Sequence, residues 1–331
     1  MELLKKLTSC ISPSGREDEI RSIIENELKN VCDEIYTDAL GNLICHKKGN
    51  GKKLMLAAHM DEIGFMVTHI EDNGFLRFAN VGGINRANAI DSTVQFTNGV
   101  VGKISYETKE KVTEVGFDKM FIDIGCDSKE EAEKLVQIGD FAGYTASFNV
   151  LNDKILSKTL DDRAGCWVLI NALKEMKNSP NDIYAVFTVQ EEVGTRGART
   201  AAAGIKPDMA IAIDVSFSAD TPNCSEVNLA MGKGPAIKMK DASFIINEGV
   251  KNILLDSAKN TAIPYQLEAT GRGGTDAGAM QLTGSGCAAG TVSIPTRYIH
   301  STTEMVNKND LENTVKLIKA TMETDVEGYL L

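Results

Sequence analysis

The run Ile183-Tyr184-Ala185-Val186-Phe187-Thr188-Val189-Gln190 is almost wholly apolar and ends on two adjacent carboxylates, Glu191-Glu192, with Gly194 two residues beyond them. Its length and flanking residues read as a buried strand. Burying a charge is costly unless a cation or a partner answers it. A fold containing this segment must therefore bring something to the strand's C-terminal end that stabilises two carboxylates. Side chains alternate across a strand, so the neighbours can do different jobs, one holding a metal and the other handling a proton.

The same pattern recurs along the chain. Lys53-Leu54-Met55-Leu56-Ala57-Ala58 reads as a short buried strand ending at His59, with Asp61 two residues on. Asp161-Asp162 follows a short apolar segment and precedes a helix. Asp214 closes Met209-Ala210-Ile211-Ala212-Ile213, and His300 follows Arg297-Tyr298-Ile299. Helices are expected near residues 2–30 (broken at Ser12-Pro13-Ser14-Gly15), 163–176, 195–203, 247–260 and 310–323. Ser14 lies three residues before Glu17, the spacing of a capping box. Strands alternating with helices imply a mixed or parallel sheet covered on both faces. Between about 66 and 154 the texture changes to short β-rich runs separated by Asp72-Asn73-Gly74, Gly82-Gly83 and Asn98-Gly99, with one short helix near 128–135. That spacing suggests a small β-barrel or sandwich inserted in a larger domain.

The 331 residues exceed what one small domain usually needs, and 43% hydrophobic content suits a full core. A net charge of −11 argues against binding nucleic acid or an anionic membrane. The N-terminus carries charges and no apolar leader, and no run is long enough to span a membrane. Seven scattered cysteines, with no Cys-x-x-Cys pair, fit a reducing cytoplasm better than a disulfide framework.

In open α/β sheets, ligands bind outside the carboxyl ends of the strands. Convergence of these ends would gather two imidazoles and several carboxylates. Mixed N/O ligation suits Zn, Co or Mn, and the absence of Cys speaks against a closed structural zinc site. One carboxylate can bridge two ions, and a free carboxylate nearby is a natural general base. His46 and His69 lie in polar strand or turn contexts and are read as structural.

Four segments, in order, carry a resemblance: Ala58-His59-Met60-Asp61-Glu62-Ile63-Gly64, Leu160-Asp161-Asp162-Arg163-Ala164-Gly165, Val189-Gln190-Glu191-Glu192-Val193-Gly194-Thr195-Arg196-Gly197-Ala198 and Tyr298-Ile299-His300-Ser301. Gly232-Lys233-Gly234-Pro235-Ala236-Ile237, Gly273-Gly274-Thr275-Asp276-Ala277 and Ile213-Asp214-Val215 add support. Together they resemble the M42 metallo-aminopeptidases from about Ser12 to the C-terminal helix. The resemblance implies a zinc-peptidase-type mixed sheet sandwiched by helices, formed by residues 1–65 and 155–331. It implies that 66–154 is an inserted β-barrel used for dimerisation. It also implies two divalent ions per subunit, zinc or cobalt foremost and manganese third. His59, Asp214, Glu192 and His300 would be terminal ligands and Asp161 the bridge, chosen over Asp162. Glu191 would be the general base, and Asp61 would orient the His59 imidazole. A non-proline cis peptide is expected after Asp161.

The implied reaction is removal of the N-terminal residue from short peptides, in a homo-oligomer of dimers often gathered into tetrahedral dodecamers. The alternatives are an endoglucanase-like glycoside hydrolase, which needs two carboxylates and no metal, or a related metallo-deacylase or carboxypeptidase. One Trp and 6% aromatics disfavour a sugar site. The sequence does not specify the preferred N-terminal residue.

Overall fold

The computed structural model describes residues 1–108, 110–224 and 228–330. Two helices, α1 (Glu2–Ser9) and α2 (Asp18–Leu28), precede β1 (Glu34–Thr37), β2 (Leu43–Lys47) and β3 (Lys53–His59). Strands β4 (Gly64–Ile70), β5 (Leu76–Val81), β6 (Thr93–Phe96), β7 (Val101–Tyr106), β8 (Met120–Asp123) and β9 (Phe141–Tyr144) form a separate unit. It also holds the short helices α3 (Arg86–Ala89) and α4 (Lys129–Ala132). The chain returns through β10 (Phe148–Leu151), β11 (Lys154–Ser157), α5 (Leu160–Glu175), β12 (Asp182–Thr188), α6 (Arg196–Ile205) and β13 (Met209–Phe217). It ends with β14 (Ala236–Lys240), α7 (Glu248–Asn260), β15 (Gln266–Ala269), α8 (Asp276–Gln281), β16 (Ala288–Arg297), β17 (Glu304–Asn307) and α9 (Lys308–Met322).

The large sheet runs β1-β2-β12-β3-β13-β16-β17-β11-β10, with β14 and β15 attached beside β16. Its centre is parallel: β3 lies between β12 and β13, and β13 pairs with β16. These central strands are buried on both faces, which explains their unbroken apolar runs. Period-two alternation divides them between two cores. Leu54, Leu56 and Ala58 of β3 pack into the core shared with α1, α2, α5, α7 and α9. Met55 and Ala57 pack into the core shared with α6 and α8. The expected architecture of a mixed sheet between helices is therefore present.

The intervening unit closes as the barrel β4-β5-β8-β7-β6-β9 around its own core. Phe65 meets Phe78 and Tyr144 edge to face, with ring centroids 5.1 and 5.4 Å apart. Residues after the barrel rejoin the large sheet through β11, which pairs with β17. No helix among the described residues is long and apolar enough to cross a membrane.

Two local readings change. Ser14 does not cap α2, whose N-cap is Glu17 without a side-chain cap bond. Instead the Ser14 hydroxyl donates to Asp61 Oδ2 at 2.7 Å. Asp214 does not end its strand: β13 continues to Phe217 because its residues keep pairing with β16 as far as Thr296. The helix after Leu160 is interrupted at Asp161 and Asp162, whose backbone angles are not helical. The peptide bond between them is cis, as the resemblance implies.

Helix α6 is pressed against the end of β12 with no room for a side chain at Gly197. A Cβ there would lie 2.3 Å from Asn42 Oδ1 and 2.4 Å from the Val189 carbonyl oxygen. Asn42 is itself fixed, accepting the Val189 N–H and donating to the Gly197 carbonyl, each at 3.0 Å. Gly197→Ala should therefore destabilise the protein by about 1–3 kcal/mol, seen as a lower urea midpoint. An unchanged midpoint would mean that this contact relaxes freely.

Candidate active site

The acidic and histidine residues converge at the C-terminal edge of the parallel strands. His59 is the last residue of β3, Glu191 and Glu192 follow β12, and Asp214 lies within β13. Asp161 stands at the start of α5, and His300 on the loop between β16 and β17. They line one cavity of about 470 Å³, whose walls include Val215, Ser216, Phe217, Lys238, Glu268, Arg272 and Ile299.

Asp161 stands between two groups of donors. Its Oδ1 is 2.9 Å from His59 Nε2, and Asp214 Oδ1 lies 4.0 Å from the same nitrogen. Its Oδ2 is 3.3 Å from His300 Nε2, which is 3.0 Å from Glu192 Oε2. The candidate ion-holding groups are thus His59–Asp161–Asp214 and Asp161–Glu192–His300. Glu191 lines the same cavity outside both groups. His300 Nδ1 lies 2.8 Å from the Gly83 carbonyl oxygen. A carbonyl can only accept, so Nδ1 carries the hydrogen and Nε2 is turned to the carboxylates.

Carboxylates outside these two groups hold the backbone that presents the donors. Asp61 accepts the N–H groups of Glu191 at 2.9 Å and Glu192 at 3.2 Å. Its Oδ1 is 3.5 Å from His59 Nδ1, long for a hydrogen bond. Asp162 accepts the His59 N–H at 3.2 Å and the Gly165 N–H at 2.9 Å. Glu304 accepts the N–H of Asp161 at 2.8 Å and of His300 at 2.9 Å. Buried Glu62 takes Lys158 and the Thr159 hydroxyl. Thr159 (φ 58°), Gln190 (φ 56°) and His300 (φ 60°) all sit in the left-handed region, costly for non-glycine residues and sustained only by surrounding contacts.

The electrostatics are those of crowded like charges. Burial raises Glu191 well above the usual carboxylate range, with His59 opposing and Asp214 and Asp276 adding to the rise. Burial raises Glu192 too, against its bond to His300. Asp214 is pushed up to about 8, mainly by burial. Burial pulls the other way on Asp161, but His300 and His59 win and hold it below its ordinary value. Burial would lower His59 and His300, but Asp161 with Asp61 and Glu191 outweighs it at His59, and Asp161 with Glu192 at His300, so both rise. Protons thus stand where cations would relieve the crowding. His59 Nδ1 and Glu192 Oε1 are buried without a hydrogen-bond partner. Nitrogen and oxygen donors, without sulfur, fit divalent ions such as Zn, Co or Mn.

Glu304 and Lys158 escape sequence reasoning, each a charged residue with no motif that only its burial reveals. Asp162 lies in a quoted motif, but its role in holding the His59 backbone does not show in the sequence. A weak signal existed for Glu304, an acid four residues beyond His300 at the start of an apolar strand. Asp276 is buried, with Oδ2 accepting from Thr188 at 2.6 Å, Oδ1 unpartnered, and burial pushing it up to about 6.

A buried parallel-sheet edge carrying two imidazoles and several carboxylates defines a hydrolase-type centre suited to divalent ions. The M42 glutamyl aminopeptidase family matches over residues 41–317. A provisionally named aminopeptidase of Acetivibrio thermocellus is 52% identical, with 96% of each chain covered. Aminopeptidase APDkam598 of the archaeon Desulfurococcus kamchatkensis superimposes with a TM-score of 0.95 at 40% identity, covering 99% of this chain and 96% of that one. The TET1 peptidase of Pyrococcus horikoshii, described as assembling into a tetrahedron or a large octahedral shell, gives 0.88 at 36% identity, with 97% and 98% covered. The chain belongs to the M42 family of metal-dependent aminopeptidases, hydrolases acting on peptide bonds.

One buried carboxyl near the site lends itself to a clean pH test. Burial, helped by Asp61, pushes Glu17 from 4.5 up to about 7, against the N–H groups of Gly15 and Gln190. Between these values the folded chain binds more protons than the unfolded one, so Glu17 costs stability as pH rises through that window and the cost is complete above it. Its Oε1 accepts both N–H groups, which an amide oxygen can also do. Glu17→Gln should match wild type in urea unfolding of metal-free protein near pH 4 and exceed it by up to about 3 kcal/mol at pH 8. A gap independent of pH would refute the shift.

Proposed function

We propose that this chain removes the N-terminal residue from short peptides at a pair of divalent ions. The carrying observation is Asp161, whose two oxygens each face one imidazole and whose neighbours divide into two donor groups. His59 and Asp214 would hold one ion, Glu192 and His300 the other, and Asp161 would bridge them. Zinc and cobalt are the foremost candidates, with manganese third. When bound, the ions supply Lewis acidity and bring the pKa of a shared water toward neutrality.

Glu191 lines the cavity without belonging to either group, which frees it for proton transfer. It takes the proton of the attacking water and passes it to the leaving amine as the peptide C–N bond breaks. The cavity's acidic lining suits the free α-ammonium of a peptide, which favours an exopeptidase. Among the described residues, Phe217 is the one Phe, Tyr or Trp on the cavity wall, a poor platform for stacking sugar rings. That supports peptides over glycans.

Glu191→Gln should retain both ions and lose about 10²- to 10⁴-fold in kcat on aminoacyl-p-nitroanilides. Near-wild-type turnover would show that Glu191 is not the base. Asp161→Ala should release both ions in elemental analysis; two retained ions would exclude the bridge.

We further propose that residues 66–154 act as a dimerisation unit and that dimers gather into a larger closed shell. The barrel region exposes Val101, Val112, Leu135 and Ile138, each at least 46% accessible, apolar side chains that a partner subunit would cover. Light scattering should give a mass several times 35.8 kDa; a monomer mass would reject the assembly. Seven free cysteines support a reducing, cytoplasmic setting.

A further inference from the structure

Glu304 is 2% exposed, is absent from the cavity wall and engages both carboxylate oxygens away from it. Oε2 accepts the N–H of Asp161, 143 residues distant, and Oε1 accepts the N–H of His300. It therefore joins the backbones of two of the three residues in the group Asp161–Glu192–His300. Both backbones need such holding. His300 is left-handed at φ 60°, and Asp161 follows a left-handed Thr159 and is itself non-helical. Ion coordination tolerates displacements of only about 0.5 Å.

Resting on the two-ion reading above, we propose that Glu304 is a positioning residue. By tying the Asp161 and His300 backbones together, it sets the affinity of the Asp161–Glu192–His300 group for a divalent ion while touching neither ion nor substrate. The His59–Asp161–Asp214 group depends on it less. His59 takes its own backbone support from Asp162, and Asp214 sits inside a paired strand.

The chemistry of the amide makes this testable. Gln keeps the volume but replaces one acceptor with an NH₂ group, which would face a backbone N–H donor to donor. One of the two ties is then lost. Asp keeps the charge but is too short to span both N–H groups. Asp310 is a matched control away from the site: it is fully buried and accepts the N–H groups of Gly232 at 2.6 Å and Gly234 at 2.8 Å.

Metal-free wild type, Glu304→Gln, Glu304→Asp and Asp310→Asn would each be titrated with Co²⁺, following heat and the visible absorption of the bound ion. Thermal unfolding of the metal-free forms would be recorded alongside. Wild type should take up two ions. Both Glu304 variants should keep one ion within a few-fold of wild-type affinity and bind the other about 10- to 100-fold more weakly. Asp310→Asn should lose thermal stability yet bind both ions as wild type does. Two ions at wild-type affinity in a folded Glu304 variant would overturn the proposal. So would a matching loss of ions in Asp310→Asn, because the effect would then follow stability alone. Wild type holding fewer than two ions would instead defeat the two-ion reading, and this proposal with it.

Discussion

Mutual repulsion among buried carboxylates is the constraint around which the rest of this structure is arranged. Glu191, Glu192, Asp161 and Asp214 surround a single cavity beside two imidazoles, with Asp276 close behind. Such a cluster is unfavourable by itself. Burial raises Glu191, Glu192 and Asp214 while their neighbours hold Asp161 low, so a proton or a cation must reside within the group. Folding energy drawn from the two cores on either side of the sheet must hold it together until positive charge arrives. That explains why the site gathers at the edge of the most thoroughly buried strands.

The arrangement is held through backbone as much as through side chains. Asp61 joins Glu191 to Glu192, Asp162 holds His59 to the start of α5, and Glu304 joins Asp161 to His300. Each spends its acceptors on N–H groups, leaving the facing carboxylates free for the cavity. Buried carboxylates that accept backbone N–H bonds are satisfied in a way that unpaired ones are not. Division between acids that support and acids that face the cavity lets so many coexist in one small volume.

Much of this was legible in the sequence. The strand Lys53–His59 and the run closing on Glu191-Glu192 announced themselves because central parallel strands are apolar on both faces, and a charged terminus stands out against them. The β-rich texture of the middle third was equally plain from its turn dipeptides. Ser14 was misread because Ser-x-x-Glu spacing is shared by a capping box and by chance, and a partner 47 residues away, Asp61, leaves no local trace. Asp214 read as a strand end because the apolar run stops there, while the pairing that carries β13 onward comes from β16, far along the chain. Glu304 and Asp162 were invisible as supports for the same reason. Their partners are backbone N–H groups, which every residue but proline offers, so no residue type marks the contact.

The barrel is more than an appendage to this centre. The loop leaving β5 carries Gly82 and Gly83 to the rim of the cavity. A Cβ on Gly82 would lie 3.2 Å from Glu192 Cβ, and the Gly83 carbonyl takes the His300 Nδ1 hydrogen at 2.8 Å. Asn88, on α3 of the same unit, donates to the His300 carbonyl at 3.2 Å. A histidine on a left-handed loop thus has its tautomer and its backbone set by the inserted unit, and its spacing to Asp161 by Glu304. Any force that shifts the barrel against the sheet would act first on His300 and Glu192, and least on His59 and Asp214, which sit on the sheet itself. The two donor groups share Asp161 but have different mechanical supports, one held by the sheet and the start of α5 and the other spanning two units of the fold.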